Sequence, residues 1–311
     1  MPSAPPAPTV AVLGSVNRDS VIRVARLPQA GETVVADGLA LGLGGKGANQ
    51  AVAAARTGTA TCFLGAVGTD AAGDELVAAL ETNDVDAAGV AHRDDAPSGS
   101  AFVAVSDSGE NQIIVVGGAN RSLDGDYVAA VADRITGASV LVMQCEVPVA
   151  ALRAAAELAE RAGIRIVLNL APYVDAPDLA RLADPLVVNE VEVSELLGHT
   201  VTDVATALAA ADRVRGLCRS AIITLGAAGA VFISPTEARH VQGPVPREVR
   251  DTTGAGDATV GVVAAALAHG LGLGLADATR SGVEAGTRSV EHEGAADRYP
   301  RFRIRPAEAT G

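Results

Sequence analysis

The stretch Ser139-Val-Leu-Val-Met-Gln144 sets four consecutive apolar residues between two polar ones, and a helical Ala/Leu/Glu segment follows it to Ala162. Arg165-Ile-Val-Leu168 is then a second short apolar run. An unbroken run of this length reads as a strand buried on both faces, and a helix between two such runs makes the pair parallel. Working outward, Pro185–Val188 and Ala221–Leu225 repeat the pattern, with a helix expected around Val204–Leu217. Toward the N-terminus, Thr9–Gly14 and Thr61–Gly65 join the same sheet, with helices expected over Lys46–Thr57 and Gly73–Thr82. The fold class is therefore α/β, a mainly parallel sheet with helices on both faces.

Two segments break that rhythm. Asp19–Leu43 carries no helical pattern but holds the β-leaning runs Val21–Val24 and Thr33–Val35. Ser100–Gly117 reads as a hairpin of Ala101–Val105 and Gln112–Val116, turned at Asp107-Ser108-Gly109. Neither can be a crossover helix, so both are assigned to a small separate sheet. The expected division is residues 1–17, 44–98 and 119–311 for the α/β domain, and 18–43 with 99–118 for the small sheet.

Composition excludes several functions. The chain has 311 residues, is 49% hydrophobic, and carries a formal net charge of −13. That charge leaves no basic surplus for a nucleic-acid backbone. Four Phe, three Tyr and no Trp offer little for stacking single-stranded bases. Cys62, Cys145 and Cys218 are too few and too dispersed for a disulfide framework or a zinc site, and read as buried thiols. Met1–Pro8 lacks Lys and Arg, and the apolar run after it is too short for a secretory signal. The longest apolar stretch, Val260–Ala276, is interrupted by His269 and glycines and reads as a buried helix and turn, not a membrane span. A cytoplasmic protein bound to neither nucleic acid nor membrane is expected.

In an open parallel sheet, ligands bind beyond the carboxyl ends of the strands. Asn17 and Asp19 follow the first strand, Glu146 follows Leu141–Gln144, and Asn169 and Asn189 end the next two; Leu225 and Gly226 follow Thr224. Each alone could be a loop residue or helix cap. Together they suit a ligand rich in hydroxyls, which pair with carboxylates and amides.

Asp251-Thr-Thr-Gly-Ala-Gly-Asp257 is the strongest motif. Small residues at 254–256 let backbone amides approach an anion, and the helix that follows points its free N–H groups there. An acid, Asp257, beside such a turn either caps the helix or deprotonates a hydroxyl that attacks phosphorus. Gly44-Gly45-Lys46-Gly47-Ala48-Asn49 is a second glycine-rich turn, expected to serve as both hinge and substrate contact. Gly42, Gly44 and Gly47 also match G-x-G-x-x-G, but away from the first strand–helix turn, which weakens a dinucleotide reading. No Walker A sequence is present.

These motifs resemble those of the ribokinase-like (pfkB) family of carbohydrate kinases. The resemblance rests on Gly44-Gly-Lys-Gly-Ala-Asn-Gln-Ala51 and Asp251–Asp257, in order with Gly14-Ser-Val-Asn-Arg-Asp19, Pro28-Gln-Ala-Gly-Glu-Thr33, Gly117-Gly-Ala-Asn120, Met143-Gln-Cys-Glu-Val-Pro148, Leu168-Asn-Leu-Ala-Pro172, Asn189-Glu-Val-Glu192 and Thr224-Leu-Gly226. It implies a Rossmann-like three-layer α/β/α domain with a β-sheet lid, and transfer of the γ-phosphate of ATP to a small sugar, with D-ribose favoured. It further implies that Asn17, Asp19, Gly45, Lys46, Asn49 and Glu146 bind the sugar. Asp257 would be the base, with Gly254, Ala255 and Gly256 contributing amides to an anion hole. Asn189, Thr224 and Gly226 would line the ATP site, and Glu192 would hold Mg²⁺ through water. Asp251, Thr253 and Gly294 would form a K⁺ site, and lid sheets would pair two subunits. The alternatives are a kinase for another small sugar or a nucleoside, and a sugar-binding protein without catalysis.

The chain departs from the family pattern in three places. Leu170 follows Asn169 where Pro is usual, and Ala258-Thr-Val-Gly261 replaces the usual Thr-Phe segment. Arg298 stands where Ser is usual, and its guanidinium is expected to lie near the K⁺ position and to pair with Asp251.

Overall fold

Alternate residues of the buried strands feed two separate cores. Val140 and Val142 pack on one side of the sheet and Leu141 and Met143 on the other; Val10 and Val12 oppose Ala11 and Leu13 in the same way. The computed structural model that gives this arrangement describes residues 9–108, 110–270 and 273–304. Met1–Pro8, Gly109 of the expected hairpin turn, residues 271–272 of the apolar stretch, and the chain after 304 lie outside the described residues.

In chain order the strands are β1 (Thr9–Leu13), β2 (Asn17–Val24), β3 (Gly38–Gly44), β4 (Ala60–Gly68), β5 (Asp86–Arg93), β6 (Ser100–Ser106), β7 (Asn111–Val116), β8 (Val140–Gln144), β9 (Arg165–Asn169), β10 (Leu186–Val188), β11 (Ala221–Thr224), β12 (Ala230–Ile233) and β13 (Ala238–Val241). Nine form one sheet in the order β13-β12-β11-β10-β9-β8-β1-β4-β5. From β11 to β5 all neighbours are parallel; β12 and β13 are antiparallel additions at one edge. The helix Val149–Ala162 buries Leu152, Ala155, Ala156 and Ala159 on one face, and the helices Lys46–Ala55 and Ala255–Ala268 cover the other.

The second sheet has the order β3-β2-β6-β7, with β2–β6 parallel and the two outer pairings antiparallel. It confirms the hairpin over 100–116 but corrects the partner of β2. Thr33–Val35 forms no strand; the partner is Gly38–Gly44, in register from Asn17↔Gly44 to Arg23↔Gly38. Glycines at 38, 42 and 44 hid that strand, because glycine weakens the β pattern. Gly44 is needed: a Cβ there would collide with the Asp19 carboxyl, whereas one at Gly38 would meet open space. The helix expected around Val204–Leu217 is two short ones, Val204–Ala209 and Ala211–Arg215. The helix after the 251–257 motif begins at Ala255, and none of the described helices is long and apolar enough to cross a membrane.

Helix packing brings the two glycine-rich motifs together. A Cβ on Gly261 would run into the Gln50 carbonyl and lie 2.6 Å from the Ala53 Cβ, so only glycine permits the 46–55 and 255–268 helices to approach this closely. That approach puts Asn49 and Gln50 within reach of Asp257.

Candidate active site

Gly254 lies at φ 75°, in the left-handed region, and starts the 255–268 helix. The Tyr299 hydroxyl donates to its carbonyl at 2.6 Å and fills the space that a side chain at 254 would need. Within the first helical turn, the N–H groups of Gly256 and Asp257 have no hydrogen-bond acceptor among the described residues. These are the free donors of a helix N-terminus, and with the dipole they favour an anion. Asp257 stands on the same turn.

A cleft of about 140 Å³ opens there, walled by Lys46, Asn169, Asn189, Glu192, Thr224, Gly254, Gly256 and Asp257 among others. Asn189 caps the helix Glu190–Leu197: its Oδ1 accepts from the Val191 and Glu192 N–H groups at 2.9 Å, and Glu192 Oε2 accepts from the Asn189 N–H at 2.8 Å. Burial holds the Glu192 carboxyl above its usual pKa, against the pull of the Asn189 N–H and Lys46. Lys46 is pushed up chiefly by Asp257, with burial opposing and Glu146 and Glu192 adding to the rise. Thr224 also forms part of the wall, whereas Gly226 begins the turn after β11 at φ 52° and is not among the cleft residues.

The remaining expected sugar contacts form an adjoining polar wall. Glu146 Oε2 accepts from the Lys46 N–H at 3.0 Å and from the Ser15 hydroxyl. Gly45 lies at φ 87°, and a Cβ there would sit 2.9 Å from the Ser15 carbonyl. Asn17 Oδ1 accepts from Asn120 Nδ2 at 2.8 Å, while Asn120 also brackets the Val16 peptide at 3.0 Å on both sides. Asp19 and Asn49 each leave one buried side-chain oxygen, Oδ1, without a partner. Burial raises the Asp19 pKa to about 7, and Glu146, Asp257 and Asp297 add to the rise. Unpartnered acceptors in a buried polar wall are costly unless a donor arrives, and a polyol supplies such donors.

Beside the 251–257 turn, Asp251 accepts from the N–H groups of Thr253 and Gly294, both at 2.9 Å. Burial favours the protonated acid, but these hydrogen bonds outweigh it and hold Asp251 below the usual range. Arg298 is exposed, and no ion pair among the described residues joins it to Asp251. The expected pairing is therefore corrected: backbone donors already occupy both carboxylate oxygens.

Several residues of the site were not singled out from sequence. Gln50 Nε2 donates to Asp257 Oδ1 at 2.9 Å and to Asn169 Oδ1 at 3.0 Å, and Asn49 Nδ2 donates to Asp257 Oδ2 at 3.0 Å. Gln144 Nε2 donates to Gln50 Oε1 at 2.7 Å. The available signal was a glutamine ending the apolar run of β8 and another, next to Asn49, inside an Ala-rich helix. Asn169 was visible as a strand end.

Comparison with known proteins agrees with this geometry. The model of the "pfkB family carbohydrate kinase" family matches residues 7–301. The chain is 36% identical over 305 residues to the ribokinase of Mus musculus, spanning 94% of this chain and 92% of that protein. It is 33% identical over 259 residues to the deoxyribokinase of Salmonella typhi, spanning 82% and 84%. The structure of Arabidopsis thaliana ribokinase complexed with ribose and ATP superposes with a TM-score of 0.88 at 29% identity, covering 95% of this chain and 97% of that one.

Proposed function

This chain belongs to the pfkB family of carbohydrate kinases, and we propose that within it the protein phosphorylates D-ribose with ATP, giving D-ribose 5-phosphate and ADP. One observation carries the mechanism: Asp257 and the free N–H groups of Gly256 and Asp257 converge on one turn at the cleft. The carboxylate takes the proton from the sugar's primary hydroxyl as that oxygen bonds to the γ-phosphorus. The bond from phosphorus to the bridging oxygen breaks, and ADP leaves with its electrons. The amides of Gly254, Gly256 and Asp257 receive the charge on the transferring group, whereas the Ala255 N–H already donates to the Thr252 carbonyl at 3.3 Å. Asn17, Asp19, Gly45, Lys46, Asn49 and Glu146 hold the sugar, and Asn189, Thr224 and Gly226 face the nucleotide.

Among the described residues no group of three or more His, Cys, Asp or Glu side chains is arranged to hold a metal. Mg²⁺ would be bound mainly by the nucleotide's phosphates, and Glu192, whose second oxygen is uncommitted, would reach it through water. Mg²⁺ would neutralise charge on the phosphates. A K⁺ at the corner of Asp251, Thr253 and Gly294 would be held by backbone carbonyls, with Asp251 shaping the turn through the Thr253 and Gly294 N–H groups it accepts from. The second sheet serves as a lid over the sugar. Leu39, Leu41, Phe102, Ile113 and Ile114 are exposed on it, and such an apolar surface fits a homodimer through paired lids. We place the protein in the cytoplasm, where ATP is available.

An ADP-release assay over ribose, 2-deoxyribose, hexoses and nucleosides tests the substrate. Ribose should give the highest kcat/KM; preference for deoxyribose or a nucleoside would overturn it. Asp257→Asn should lower turnover about 10²–10⁴-fold while both substrates still bind, the range for loss of a general base.

A further inference from the structure

Asp257 does not set its own orientation. Gln50 and Gln144 are both 0% exposed, and the charge in reach of Gln50 is the Asp257 carboxylate. Buried amides persist where their polar atoms find partners, which Gln50 does with both of its atoms and Gln144 with its Nε2. Gln50 is saturated from three directions: its Nε2 serves Asp257 and Asn169, and its Oε1 receives Gln144.

The direction of this chain is fixed at both ends by groups that can only accept. An ionised Asp257 accepts, so the Gln50 atom facing it is the amide nitrogen. The Val187 carbonyl accepts from Asn169 Nδ2 at 3.1 Å, so Asn169 turns its oxygen to the same Gln50 nitrogen. Gln50 Oε1 must then face Gln144 Nε2, which leaves Gln144 Oε1 without a partner, over the space a Cβ on Gly14 would take. The ends of β8, β9 and β10 thereby act on one carboxylate through one side chain.

We propose that Gln50, locked by Gln144, is a positioning residue: with Asn49 on Oδ2, its hydrogen bond to Oδ1 holds Asp257 in the orientation in which the carboxylate takes the substrate proton. The inference rests on the reading of Asp257 as base. Its mark is a loss in turnover without loss of binding, since Gln50 is not a wall of the cleft.

The experiment compares Gln50→Met, Gln144→Met, the double variant and Asp257→Asn in steady-state kinetics with ribose and ATP, alongside calorimetric binding of both. Methionine matches the volume of glutamine and removes its hydrogen bonds. Gln50→Met should lower kcat by about tenfold or more with both KM values within about threefold. Gln144→Met should lower kcat by a smaller factor, and the double variant should be no worse than Gln50→Met, because Gln144 acts through Gln50. If Gln50→Met does not fold, Gln144→Met carries the test alone: reduced kcat at unchanged KM supports the proposal, and unchanged kcat overturns it. A Gln50→Met enzyme with parental kcat, beside an inactive Asp257→Asn, overturns the positioning role and leaves the base intact. An active Asp257→Asn overturns both.

Discussion

Asp19→Asn should make the protein more stable and worse at its work, and the size of the gain should depend on pH. The Asp19 carboxyl titrates near 7 in the folded protein against an ordinary 3.8, chiefly because it is buried and then because Glu146, Asp257 and Asp297 surround it. The folded state therefore binds this proton more tightly than the unfolded state. Stability from it is complete below about pH 4, falls as pH rises toward 7, and is flat above. At about 1.4 kcal/mol per pH unit, ionised Asp19 costs at most about 4 kcal/mol at pH 8, and water reaching the open cleft lowers that ceiling. Asparagine mimics the neutral form at every pH. Thermal unfolding of parent and variant at pH 5 and pH 8 should show a gain of several degrees at pH 8 that shrinks at pH 5. Sugar KM should rise about tenfold to a hundredfold, the loss of a charged hydrogen-bond acceptor. An equal thermal shift at both pH values would refute the charge argument, and an unchanged sugar KM would remove Asp19 from the sugar wall.

Other outcomes follow from the same geometry. Gly256→Ala meets open space and a helical backbone, so it should stabilise by roughly 0.5–1 kcal/mol, while its methyl crowds the anion turn and lowers kcat; unfolding curves and kinetics check the pair. Gly254→Ala has a left-handed φ and a collision with Tyr299, and should lower both the melting temperature and activity. Turnover in sodium-free buffer should rise severalfold with K⁺, and Arg298→Ser should leave that activation unchanged, because Arg298 does not reach Asp251. A parent enzyme indifferent to K⁺, activated only after Arg298→Ser, would refute this and show the Arg298 guanidinium taking the cation's place beside Asp251.

The sequence exposed what depends on local pattern. Unbroken runs such as Val140–Gln144 gave the parallel sheet, and Asp251–Asp257 gave the anion turn and its acid, because glycine and aspartate have local reasons to be there. β3 was missed because its three glycines blunt the strand pattern, and the reason for one of them, Gly44, is a neighbour that no local window contains, the Asp19 carboxyl. β12 and β13 were missed as short antiparallel strands beyond the parallel run, with β13 at the edge. Gln50 and Gln144 are far apart in sequence and take their meaning only from each other and from Asp257. Arg298 misled for the same reason: the motif located it near Asp251, but not which groups already held that carboxylate.

The segment Gly294–Tyr299 works like a tether with two anchors. Asp297 Oδ2 grips the Leu43 N–H at 2.9 Å, at the rim of the second sheet next to the sugar wall. Gly294 holds Asp251, and Tyr299 holds the Gly254 carbonyl, both on the phosphate turn. A tug on the rim strand is therefore transmitted to the turn through a few bonds of one short piece of chain, and a stiffened turn steadies the rim in return. Coupling of this kind is mutual by thermodynamic necessity. A guest at the rim and one at the turn can sense each other's arrival through it, before any bond forms between them.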